Sequence, residues 1–342
     1  MTSSVERSNN FDGVRLIAAA MVLVSHQYAL TGRSEPTFHG VQTLGGVGLL
    51  MFFSMSGYLV SQSWLRSERL GKFLTSRFLR IWPALAVVTL LEMFVLGPTV
   101  SSLDAATYFA DSRTWRFLSN LCFSIRYDLP GVFVGNPHPN AVNGSTWSIP
   151  VEVKCYLVLA GAGLLGILRR RVLTTLAAAL IVAHVFYARQ VGAALTPLAE
   201  FGAFFALGAL INVLGFVESR WKWIIGSVAL AASVVLVFLD EPYAALFVAG
   251  PLLTVWLGSS CAPVLRRCGR YGDFSYGVYL YAFPVQQTIV QVAGVDLPFW
   301  QGLATAALVT SGLAAASWHL VERTALRFKP IGTRVRAPLA RA

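Results

Sequence analysis

The chain has 342 residues, of which 56% are hydrophobic and only 13% charged, against about 25% charged in a soluble domain; its mean hydropathy is +0.62. Twenty-seven lysines and arginines against 16 acids give a net charge of +11. The basic residues flank apolar runs and build no folded basic patch, which excludes a nucleic acid partner and leaves anionic membrane lipids to meet the charge.

Apolar runs recur along the whole chain, so the expected fold class is an all-α polytopic membrane protein of about ten transmembrane helices, a single domain over residues 1–342. The expected spans are 14–31, 44–62, 80–98, 149–168, 172–188, 197–214, 222–239, 242–260, 274–293 and 300–320. The fifth is short, and only Asp240-Glu241-Pro242 separates the seventh from the eighth. The first reads as a retained span, because Asp12 and Arg15 sit at its start and no clean small-residue cleavage site follows.

The basic residues set the orientation. With the N-terminus cytoplasmic, twenty lysines and arginines fall on the inner side, among them Arg7, Arg66, Arg170, Arg267 and the tail residues Arg334, Arg336 and Arg341, and five fall outside. Both termini are therefore expected in the cytoplasm, with residues 321–342 as a basic tail. Residues 63–79 read as a basic inner stretch, and 99–148 as a long outer loop. The first part of that loop has the amphipathicity of an interfacial helix, and the second, GNPHPNAVNGSTWS, has ordered-loop chemistry. A loop of that length in a compact fold reads as a lid or binding element.

Arg15 and His26 stand eleven residues apart in the first span. Eleven helical steps make three turns plus roughly 20°, so both project from one face, about 16 Å apart along the axis. Arg15 then lies near the inner surface and His26 well inside, where an ionisable group faces a protein interior or watery cavity. A hydrogen bond to a neighbouring helix is the plainer role for His26.

Arg77 and Arg80 form an i, i+3 pair that suits a phosphate-bearing ligand, although positive-inside flanking also accounts for them. Glu152 is the first choice as carboxylate partner of His26 for acid/base work, its alternative being an ion pair with Lys154. Glu92 and Glu200 read as structural or interfacial. Trp115, Tyr127 and Trp147 would stack on a sugar or anchor at the interface. Ser56-Gly57 would pack helices or break one to expose an oxyanion site. Cys122, Cys155, Cys261 and Cys268 read as structural thiols. Five scattered histidines without HxxxH or CxxC spacing give no expected metal site.

Six segments in order resemble the acyltransferase-3 family of membrane O-acyltransferases, over about residues 10–325. They are FDGVRLIAAAMVLVSH, GGVGLLMFFSMSGYLV, Arg77-Phe-Leu-Arg80-Ile-Trp-Pro83, STWSIPVEVKCY, SYGVYLYAFPV and the closing His319 to Arg323 element. One departure is Ala282, where many relatives carry a histidine. The resemblance implies a multi-pass protein of the bacterial inner membrane that transfers an acyl group, most often acetyl, from acetyl-CoA or another acyl-CoA to a hydroxyl of a glycan or glycolipid. It implies CoA phosphates on Arg15, Arg77 and Arg80 with the thioester pointing to His26; the expected mechanism then has His26 as general base or acyl carrier with Glu152, and acceptor contacts from Trp147, Ser148 and the outer loop. The rival reading is a transporter or flippase of a lipid-linked glycan.

Overall fold

The computed structural model describes residues 9–67, 69–192 and 195–330; Arg7, Arg334, Arg336 and Arg341 of the expected cytoplasmic set lie outside the described residues. Long helices occupy all ten expected positions. They are α1 (Phe11–Leu30), α2 (Leu44–Ser67), α3 (Leu70–Leu91), α4 (Ser148–Leu164) and α5 (Arg171–Gln190). The second half holds α6 (Pro197–Leu214), α7 (Lys222–Phe238), α8 (Pro242–Ser259), α9 (Ser275–Ala293) and α10 (Phe299–Ser317).

Among the described residues, eight helical stretches are long and apolar enough to cross a membrane, which makes this a multi-pass membrane protein. The two that fall outside those limits have different reasons. Helix α7 is apolar but has only 17 residues. Helix α9 is not short; it runs through the bundle interior and buries Ser275, Gln286 and Gln287, so protein contacts replace lipid along it. Large apolar side chains face outward elsewhere, as Phe238, 85% exposed, and Leu308, 76% exposed, illustrate.

The third span is longer than the sequence suggests. Helix α3 begins at Leu70 and continues through a π-helical turn, Glu92–Leu96, to Val100. The expected basic stretch 63–79 is therefore mostly helix, the end of α2 and the first turns of α3. A second π-helical turn, Trp318–Glu322, extends α10. Each π turn carries a buried carboxylate, Glu92 and Glu322; such bulges are frequent at functional sites.

The segment 101–147 is ordered as short pieces: helices Ala105–Ala110 and Ser112–Arg116, then the 3₁₀ turns Phe117–Cys122 and Gly144–Trp147. Asp104 and Asp111 cap the two helices by accepting backbone N–H bonds. Tyr108, Phe117, Val132 and Phe133 close a small apolar core under this segment.

A proline fixes this cap to the bundle. Pro284 lies inside α9 and has no N–H, so the Leu280 carbonyl four residues earlier lacks its helical donor. Asn143 supplies one, its Nδ2 lying 2.9 Å from that oxygen.

Candidate active site

Helices α1, α3 and α10 bring charged side chains to one end of α9. Arg80 Nη2 lies 2.6 Å from Asp273 Oδ2, and Arg15 Nη1 lies 3.1 Å from the same oxygen. Glu322 Oε2 approaches Arg80 Nη1 at 3.6 Å, and Asp12 approaches Arg15 at 3.4 Å. Ser275 donates from Oγ to the other Asp273 oxygen at 2.5 Å. Burial works against the Asp273 carboxylate, but Arg80 and Arg15 outweigh it and hold the group well below the ordinary carboxylate range.

Arg77, one turn before Arg80, has no direct ion pair of this kind, although Glu152 is near enough to attract it. Its Nε is buried without a hydrogen-bond partner, and its guanidinium stands 5.9 Å above the Tyr156 ring. Tyr156 donates its hydroxyl to Glu152, and Ser56 Oγ donates to the same carboxylate oxygen at 3.0 Å. Arg15, Arg77, Arg80, Glu152, Ser148 and Tyr279 all line one partly open cavity of about 90 Å³.

The expected pairing of Glu152 with His26 is not formed. Glu152 stands one turn into α4, on the face packed against α2, so it meets Ser56 rather than α1. It makes no ion pair with the exposed Lys154 either. His26 lies farther along α1, edge-on to Phe283 with ring centres 5.1 Å apart. Its Nδ1 is sealed and has no hydrogen-bond partner. Phe283 follows the cavity residue Tyr279 by one turn of α9, a rise of about 6 Å. His26 thus sits a turn beyond the arginine cavity.

The remaining expected residues divide between the site and the scaffold. Ser148 Oγ is 2.6 Å from the Tyr279 hydroxyl, which also donates to the Ser145 carbonyl at 2.5 Å. Trp147 packs edge-on against Phe201, 5.3 Å between centres, as part of the core. Trp115 donates to the Phe109 carbonyl, while Tyr127 lines a separate open pocket. Glu92 accepts from Asn143 at 2.7 Å, and Glu200 accepts from Tyr243 and Gln42. Helix α2 runs unbroken through Ser56-Gly57, which removes the expected oxyanion break; Gly57 packs onto the α6 backbone at Phe205. Ala282 is buried in an apolar cluster with Ala19 and Leu23 of α1.

Several residues of the site carry no expectation from sequence, Asp273, Tyr156 and Asn143 among them. Asp273 reads as a helix cap two residues before Ser275, and it does accept from the Ser275 N–H at 3.3 Å. Tyr156 follows Glu152 by four residues, the spacing of one helix face, which was its available signal. Asn143 has none.

The acyltransferase domain model of the acyltransferase-3 family matches residues 8–319. An O-acetyl transferase of Shigella phage Sf6 is 30% identical over 336 residues, covering 93% of this chain and 96% of the relative. Nodulation protein 10 of Rhizobium leguminosarum bv. viciae is 28% identical over 363 residues, covering 94% of each chain. No solved structure matches. The chain belongs to the acyltransferase-3 family and is a membrane O-acyltransferase, which decides against a transporter.

Proposed function

We propose that this acyltransferase moves an acyl group, acetyl first among the candidates, from cytosolic acyl-CoA to a hydroxyl of a cell-surface or exported glycan at the bacterial inner membrane. The observation that carries the donor half is Arg77: a half-buried side chain whose buried Nε has no partner, in a cavity that also receives Arg15 and Arg80. A buried cation is costly without an anion, and guanidinium forks bind phosphate bidentately. Asp273 holds Arg15 and Arg80 in place, and Arg77 supplies the open valence for the CoA phosphates.

With the phosphates there, the thin pantetheine arm extends along α9 past Tyr279 towards His26, a separation of about 16 Å along α1. His26 then works in one of two ways. As a base it takes the proton of the acceptor hydroxyl while that oxygen attacks the thioester carbonyl, and the CoA thiolate leaves and is protonated. As a carrier its ring nitrogen attacks the carbonyl and expels the thiolate, and the acyl-imidazole is then cleaved by the hydroxyl. Glu152 acts from the donor end, held by Ser56 and Tyr156 beside Arg77. Nothing in this scheme requires a metal.

The test is His26→Ala in purified enzyme given radiolabelled acetyl-CoA and glycan-bearing membranes. Transfer is abolished while the variant still inserts and binds CoA. A fully active His26→Ala enzyme overturns the catalytic role, and an enzyme that never consumes acetyl-CoA overturns the donor.

A further inference from the structure

The segment between α3 and α4 forms an open pocket walled by Tyr127, Asp128, His138, Asn140 and Gly144. Its backbone is pinned to the bundle by one buried residue of α9. Gln287 Nε2 donates to the carbonyls of His138 and Ala141, each at 2.8 Å. Its own side-chain oxygen and carbonyl accept from Asn136 at 2.8 and 3.0 Å. The wall is therefore built, with the His138 side chain left exposed on a fixed backbone.

This pocket lies one ring away from His26. A Cβ on Gly144 would stand 2.5 Å from the Phe283 ring. Phe283 faces His26 at 5.1 Å and His138 at 6.0 Å, edge-on to both. One phenyl group separates the pocket from the imidazole that the arginine cavity approaches from the other end.

The lining chemistry selects a ligand class. Tyr127 offers a 40% exposed aromatic face. Asp128 offers acceptors, and Asn140 and His138 offer both donors and acceptors. The lining contains no lysine or arginine, which disfavours a phosphate or lipid headgroup. We infer that this pocket is the acceptor subsite, that it takes a neutral, hydroxyl-rich pyranose, and that Asp128 and His138 position the sugar so that one hydroxyl passes Phe283 to His26. This rests on the acyl-CoA and His26 reading given above.

The experiment measures transfer from radiolabelled acetyl-CoA to membranes of a strain lacking the enzyme, varying each substrate in turn. His138→Ala and Asp128→Asn each raise the membrane concentration for half-maximal rate about tenfold, the loss of one good ligand hydrogen bond. Both leave the KM for acetyl-CoA within about twofold. A His138→Cys enzyme in a Cys122→Ser background, folded first and then treated with a bulky thiol reagent, loses transfer and keeps CoA binding, whereas the Cys122→Ser parent keeps both. Unchanged acceptor saturation, or equal shifts for both substrates, overturns the subsite. A wild type that transfers nothing from acetyl-CoA overturns the underlying reading instead, which separates the two failures.

Discussion

Asn143 takes the place of the backbone donor that Pro284 lacks: its Nδ2 lies 2.9 Å from the stranded Leu280 carbonyl and 2.7 Å from Glu92. Its Oδ1 accepts from the Ser145 N–H at 3.2 Å, which starts the turn leading into α4. One amide thus ties the segment 101–147 to α4, α9 and the π turn that continues α3. Asn143→Ala leaves two buried acceptors without donors, each worth about 1–3 kcal/mol, and we expect a loss of about 2–4 kcal/mol in unfolding experiments in detergent. Adding Pro284→Ala restores a helical N–H to Leu280, so the double variant loses less than the sum of the two. Strict additivity would show that the two residues are uncoupled.

Asp273 is the hinge of the charged cluster, and its 3% exposed side chain faces two guanidiniums. Removing one partner of a buried ion pair costs about 3–5 kcal/mol. Arg80 keeps Glu322 and Arg15 keeps Asp12, so Asp273→Asn should cost about 2–4 kcal/mol in the same assay. The pH dependence follows from the lowered pKa. The carboxylate's contribution is complete above its unfolded value of about 3.9 and disappears as pH falls through the lower folded value. The difference between Asp273→Asn and the native chain should therefore be constant from about pH 5 to 9 and shrink in acid.

Arg77 makes the opposite prediction. Its buried Nε has no partner, so replacing it trades a desolvation cost against only the ring contact with Tyr156 and the attraction of the neighbouring Glu152. Arg77→Leu should leave unfolding stability unchanged or raised while weakening CoA binding about ten- to hundredfold, measured by calorimetry. Arg77→Lys should recover only part of the affinity, because an ammonium group cannot present a bidentate fork. A loss of stability with unchanged CoA binding would assign Arg77 to the scaffold.

Hydropathy made the positions of the ten helices legible, because in lipid each spanning segment must satisfy its own backbone. The arginines were legible for a local reason: Arg77 and Arg80 share a face by spacing alone, and Arg15 lies at the same end. Which carboxylate meets which partner was not. The rotation of α4 turns Glu152 towards Ser56, and that rotation is set by packing against α2, which no local pattern encodes. Asp273 hid behind the helix-capping role that it also performs. The π turns at Glu92 and Glu322 had no signal in an otherwise apolar run.

That same α2 packing gives the sharpest structural test. Gly57 of α2 and Gly208 of α6 face each other's helices so closely that an added Cβ on Gly57 would fall on the Phe205 carbonyl oxygen, and one on Gly208 on that of Ser54. Both obstacles are helical backbone, which cannot rotate away as a side chain can, so the helices must separate. Separation carries Ser56, the neighbour of Gly57, away from Glu152 and opens the cavity wall. Gly57→Ala and Gly208→Ala should each cost about 3 kcal/mol or more and lower acyl transfer in step. Gly312→Ala in α10 is the control. A Cβ there meets nothing within 4 Å, and alanine favours a helix by about 1 kcal/mol, so that variant should be neutral or slightly stabilised. If all three alanines behave alike, the close approach of α2 and α6 is not what holds Ser56 against Glu152.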